Sequence, residues 1–146
     1  MKIRIFLSFD HELPLGSLKT SYHKAFFDPT ERLFELAKKH DLPVTLFTDV
    51  LCALRYKDWD REGFYDPYTA QLQNAITLGH DVQLHLHPHW LTSEYKNGIV
   101  SPSHDYRLAD FENNKLYPIG TIIETGVRFL EDVCRKADKN YKVIAF

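Results

Sequence analysis

The chain has 146 residues, 44% hydrophobic and 26% charged, with a formal net charge of -2. That length fits one domain with a core of its own, and the composition is that of a globular protein, not a disordered one. The absence of a basic run or a net positive charge removes the electrostatic case for nucleic acid, and no stretch nears the about 20 apolar residues of a membrane-spanning helix.

The only cysteines are Cys52 and Cys134. They stand in neither a C-x-x-C nor a zinc-knuckle spacing and read as buried small apolar residues. The opening Met-Lys-Ile-Arg-Ile-Phe-Leu-Ser-Phe-Asp is no secretory leader, because Arg4 breaks its apolar run, Asp10 ends it and no small-residue cleavage site follows. The expected compartment is the cytoplasm.

In chain order, Lys2 to Phe9 predicts a first strand with apolar residues on both faces, as in a helix-covered parallel sheet. It runs into Ser8-Phe9-Asp10-His11-Glu12. Residues 13–27 read as a loop broken by Pro14, Gly16 and Ser17. Asp28 as N-cap, Pro29 and Glu31 predict a helix to about His40, with Leu33, Phe34, Leu36 and Ala37 as its buried stripe. Val44 to Val50 predicts a second strand, rich in Val, Thr and Phe. Residues 51–65 are ambiguous, and Asp66-Pro67 opens a helix to Leu78 that Gly79 closes in the left-handed conformation.

Four of the eight histidines then fall within ten residues, in Gly79-His80-Asp81-Val82-Gln83-Leu84-His85-Leu86-His87-Pro88-His89-Trp90. Asp81 to His87 alternates polar and apolar, the period of a strand with Val82, Leu84 and Leu86 on one face and Gln83, His85 and His87 on the other. Pro88 ends the ladder and carries His89 onto the turn at the carboxyl end, where α/β folds place their chemistry. A lone strand histidine is usually a satisfied surface or core residue, but a cluster at such an end predicts a metal site. Residues 91–117 are a long, weakly patterned stretch punctuated by Asn97-Gly98, Pro102 and Asn113-Asn114. Thr121 to Ala137 predicts an amphipathic helix, and Tyr141 to Phe146 a fourth strand. The fold class is therefore α/β, about four parallel strands with crossover helices, open or closing toward a barrel. The last strand has no exit loop, so a fragment or truncated product is expected.

Three segments carry a family resemblance. Ser8-Phe9-Asp10-His11-Glu12 resembles the first motif, T-F-D-D-G, of the NodB-homology polysaccharide deacetylases. Pro43-Val44-Thr45-Leu46-Phe47 is similar to their P-A-T-F-F strand, and Gly79 to His89 resembles their G-H-E-I-x-x-H-x-x-S-H motif. The resemblance implies that residues 1–146 form the N-terminal part of such a domain, a partial (β/α) barrel. It implies a hydrolase that removes N-acetyl groups from amino sugars of a polysaccharide or glycan precursor. The cofactor would be a divalent metal ion, zinc first, with cobalt or nickel as alternatives.

Carried over by position, Asp10 is the catalytic base for a water activated by the metal, and His85 and His89 are metal ligands. His11 stands where the family has its metal-binding Asp, so Glu12 is favoured as third ligand over His11 or Asp10. If the pleat persists, Asp10 and Glu12 share a face and His11 points away. His87 falls on an unconstrained motif position and would line the site, with Trp90 lining a substrate groove. The family's arginine-x-proline-aromatic and leucine-x-histidine motifs have no counterpart here. Reading His85-Leu86-His87 as the H-x-H of amidohydrolase or PHP-type enzymes fits less well, since theirs follows the first strand. The non-enzyme alternative is a truncated or degenerate paralogue that binds metal or sugar only. Open barrel edges would let the chain associate with itself.

Overall fold

The structure, a computed structural model, describes residues 5–14 and 20–146. Strands β1 (Ser8–His11), β2 (Thr45–Asp49) and β3 (Asp81–His85) form a parallel sheet in the order β1-β2-β3. Its register pairs Phe9 with Leu46 and Leu46 with Val82, then His11 with Thr48 and Thr48 with Leu84. Between the strands run α1 (Asp28–Lys39), α2 (Val50–Trp59) and α3 (Asp66–Thr77), and α4 (Ile119–Cys134) follows β3. The architecture is mixed α/β. No helix of the described residues is long and apolar enough to cross a membrane.

The pleat gives the sheet two different faces. Leu46, Thr48, Val82 and Leu84 are fully buried on the face that α3 and α4 cover. The Tyr68 hydroxyl of α3 reaches Thr48 there, and Gly126 of α4 lies against Leu84, Leu86 and Val50. A Cβ on Gly126 would stand 3.0 Å from Leu86 Cδ2, tighter than an ordinary contact, so glycine lets α4 seat this close without displacing its neighbours. The other face carries Asp10, Phe47 and Gln83, of which Asp10 is exposed and Phe47 half-buried. Beneath the helices, Phe26, Phe27, Tyr56, Phe64 and Tyr68 make an aromatic core with edge-to-face and tilted pairs such as Phe26–Phe27 at 5.1 Å and Tyr56–Phe64 at 4.4 Å.

Several expectations are corrected. The parallel sheet has three strands where four were expected. Tyr141–Phe146 forms no ladder: Leu84 N–H donates to the Ala145 carbonyl, but the Ile144 and Ala145 N–H groups donate to the Gln83 side-chain oxygen, which takes the place of a strand partner. The first strand starts later than expected. Lys2 to Arg4 lie outside the described residues, and Ile5 and Phe6 are each 81% exposed. Asp28 is not an N-cap, because a π-helical turn, His23–Phe27, runs straight into α1. Leu36 points to solvent, while Thr30, Phe34 and Ala37 form the buried stripe.

The ambiguous 51–65 stretch is helical. Val50, the first residue of α2, follows Asp49 of β2 with no linker, and a second π-helical turn, Arg61–Tyr65, leads into α3. Gly79 closes α3 with φ of 84°, as its sequence position indicates. The 91–117 stretch holds a hairpin, β4 (Glu94–Lys96) and β5 (Ile99–Ser101), turned by Asn97 and Gly98 with φ of 52° and 79°. Positive φ at both residues is what a two-residue hairpin turn demands.

Candidate metal centre

Each parallel strand delivers a polar residue at its carboxyl edge. Glu12 follows β1, Asp49 ends β2 and His85 ends β3, with Asp49 and His85 paired in register. All lie on the face opposite His11, Thr48 and Leu84, since the side chains alternate. The same period carries His87 to the side of His85, while Leu86 turns toward α4. Pro88 then opens a 3-10 turn, Pro88–Thr92, that buries His89 and Trp90.

Three donor atoms converge there. His85 Nε2 lies 3.1 Å from His87 Nε2 and 3.3 Å from Glu12 Oε2, and His87 Nε2 also bonds Glu12 Oε2. The three side chains are half-buried, and one ligand atom from each lies within 4.8 Å of the others, so the cluster is able to hold a metal ion. Ligands about 2.0–2.1 Å from one ion in tetrahedral array stand about 3.3 Å apart, near the spacing of His85 to its two partners, whereas the direct His87–Glu12 hydrogen bond would have to open to admit an ion.

Asp49, which sequence reasoning did not single out, is 1% exposed behind this cluster. Its Oδ2 accepts the Trp90 indole N–H at 2.6 Å and its Oδ1 accepts the His87 backbone N–H at 3.3 Å. The Tyr68 hydroxyl donates to its backbone carbonyl. Burial pushes the Asp49 carboxyl up to about 7; the His87 charge and the bonds from His87 and Trp90 pull it back, and Glu12 adds to the rise. No local sequence pattern marks Asp49, because its partners His87 and Trp90 stand 38 and 41 residues away.

Of the residues singled out in sequence, Glu12, His85 and His87 come together and His89 stays apart. The His89 ring lies 5.6 Å from that of His87, boxed by Trp90 at 4.9 Å and Tyr106 at 5.1 Å. It is 1% exposed, and neither ring nitrogen has a hydrogen-bond partner among the described residues. Burial, then the His87 charge, lowers its pKa to about 4. Trp90 is 5% exposed, with its indole N–H committed to Asp49. Asp10 is exposed on the same face as the cluster, in the row of Phe47 and Gln83, one pleat nearer the amino end.

His11 stands with the helices. Its Nδ1 lies 2.8 Å from Thr48 Oγ1 and its Nε2 3.1 Å from Gln71 Oε1, and its ring sits 4.2 Å from that of Phe26. Burial lowers its pKa to about 4, partly opposed by the Gln71 bond. Comparison with protein-family models, curated proteins and solved structures found no match to this chain.

Proposed function

We propose that this chain is a divalent-metal-dependent hydrolase unit whose metal ligands are Glu12, His85 and His87. The observation that carries the reading is the meeting of one carboxylate and two imidazoles at the ends of two strands. Two histidines and a glutamate form a donor set that zinc hydrolases use, with further positions left open, and zinc is the first choice of ion. An ion held there would supply Lewis acidity, polarising a carbonyl and acidifying water.

The substrate class proposed is the N-acetyl amide of an amino sugar in a glycan or its precursor, supported by the motif resemblance at residues 8–12, 43–47 and 79–89. In that reading Glu12, His85 and His87 bind the ion, and the Asp10 carboxylate, on the same face, takes a proton. A partial (β/α) barrel is supported by three parallel strands in sequential order with helices on one face. Cytoplasmic location is part of the proposal, and so is self-association, supported by the exposure of Ile5, Phe6, Ile144 and Phe146. A clean monomer in light scattering at high concentration would remove the self-association.

The deciding experiment is metal content by mass spectrometry on purified protein, beside a His85→Ala/His87→Ala variant, followed by acetate release from N-acetylglucosamine oligomers. About one equivalent of zinc in the parent and none in the variant, with acetate released, supports the proposal. Parent protein that stays metal-free after reconstitution sinks it. Metal without acetate release favours the second reading, a binding paralogue without chemistry. One observation supports that second reading: the residue at the family's metal-binding Asp position, His11, faces the helices.

A further inference from the structure

We infer that Asp49 is a positioning residue for this centre, with Trp90 as its anchor, holding the turn that presents His87. The inference rests on the reading of Glu12, His85 and His87 as metal ligands.

One carboxylate grips the turn at two points. Its two oxygens take separate donors, the His87 backbone N–H and the Trp90 indole N–H, on either side of Pro88 and His89. The first bond fixes the backbone from which the His87 imidazole projects. The second ties the same carboxylate to a ring that cannot easily move, since Trp90 contacts Tyr56 and Trp59 of α2 at 6.1 and 6.4 Å and His89 at 4.9 Å. Asp49 is itself held from behind, where the Tyr68 hydroxyl of α3 donates to its carbonyl. Its register opposite His85 places it beside the other histidine ligand as well.

The chemistry favours a carboxylate over its neutral relatives. Both groups facing Asp49 are donors, so an asparagine would set its NH₂ against one of them and leave a buried pair of donors in conflict. Burying a carboxylate is costly, and an apolar residue at a strand end would pack more cheaply. Partners just outside a metal's ligands commonly orient those ligands, and their loss weakens metal affinity by about 10- to 100-fold.

The test uses the full chain and cobalt(II) as probe, with affinity from a chelator competition and geometry from the visible d–d absorption. Asp49→Asn is expected to weaken cobalt binding by about 10- to 100-fold. Trp90→Phe, which keeps the aromatic contacts and removes only the donor, should weaken it by less. At saturating cobalt both variants should shift the d–d bands, a readout that loss of stability alone does not move. The double variant should cost less than the product of the single effects. Variants with parent affinity and parent spectrum would overturn the inference while leaving the metal reading intact. A parent without a cobalt spectrum would overturn both. If Asp49→Asn does not fold, Trp90→Phe decides alone.

Discussion

His11 Nδ1 lies 2.8 Å from Thr48 Oγ1, across the β1–β2 pair, on the face of the sheet that the helices cover. The Gln71 carbonyl oxygen at Nε2 requires a proton there, and burial, which disfavours the charged ring, leaves Nδ1 without one. Gln71 in turn donates to the Phe27 carbonyl and to Glu31. The histidine that replaces a carboxylate in the resemblance thus belongs to the core.

That network sets a pH dependence. An unfolded histidine titrates near 6.5, whereas burial holds His11 near 4. Between those values the unfolded chain binds the proton and the folded one does not, so stability is present above pH 6.5 and is lost as pH falls toward 4. About 2.5 pH units correspond to about 3 kcal/mol. Asp49, whose carboxyl burial raises to about 7, contributes in the opposite sense, so the test is the difference between parent and His11→Gln in urea unfolding at pH 7 and pH 4.5. The variant should be less stable at pH 7 and should lose less, or gain more, on acidification. An unchanged pH slope in that variant would assign the effect elsewhere, with the buried His89 next in line.

The proposed ligand set makes a sharp distinction between two neighbouring histidines. His85→Ala, His87→Ala and Glu12→Gln should each cut zinc or cobalt affinity by at least about 100-fold, more than loss of an outer partner does. His89→Leu should leave affinity within about tenfold, because its ring sits in the aromatic box outside the three donors. The reverse pattern, metal lost with His89 and kept without His87, would restore the pair implied by the motif.

Gln83 should govern the order of the C-terminal segment. Gln83→Leu removes the acceptor for two amides, at a cost of about 1–2 kcal/mol. Hydrogen exchange at Ile144 and Ala145 should accelerate by at least about tenfold, with β2 amides unaffected. Unchanged exchange at both positions would mean that the Leu84–Ala145 bond and Tyr141 hold the segment unaided.

Gly126→Ala sets helix propensity against space. Alanine in a helix interior gains about 1 kcal/mol over glycine, and overpacking a full core costs about 1–3 kcal/mol. Leu84 and Val50 are fully buried and have little room to retreat. A lower Tm is expected in thermal unfolding, and a higher one would show that Leu84 and Leu86 move aside.

The histidine strand was legible because period 2 and a terminal proline are local signals, and they place His85 and His87 on one face. The pleat also separated Glu12 from His11. That His89, past Pro88, stays out of the cluster was not legible, since the 3-10 turn that buries it depends on Asp49 and Trp90, 41 residues apart. Asp49 carries no local pattern of its own. The fourth strand failed for a similar reason: Tyr141–Phe146 has the β propensity, but a side chain on the neighbouring strand occupies its ladder position. Asn97-Gly98 was a hairpin signal read only as punctuation.

The junction of Asp49 and Val50 has a mechanical consequence. A strand that passes into a helix without a linker has no slack, so α2 acts as a lever whose short arm is the site residue. One residue inserted between them would turn α2 by about 100° about its axis. Tyr56 and Trp59 would then leave Trp90, and the carboxylate would lose its grip on the histidine turn. Loop-length variation, tolerated elsewhere on a surface, is forbidden at this point in the chain.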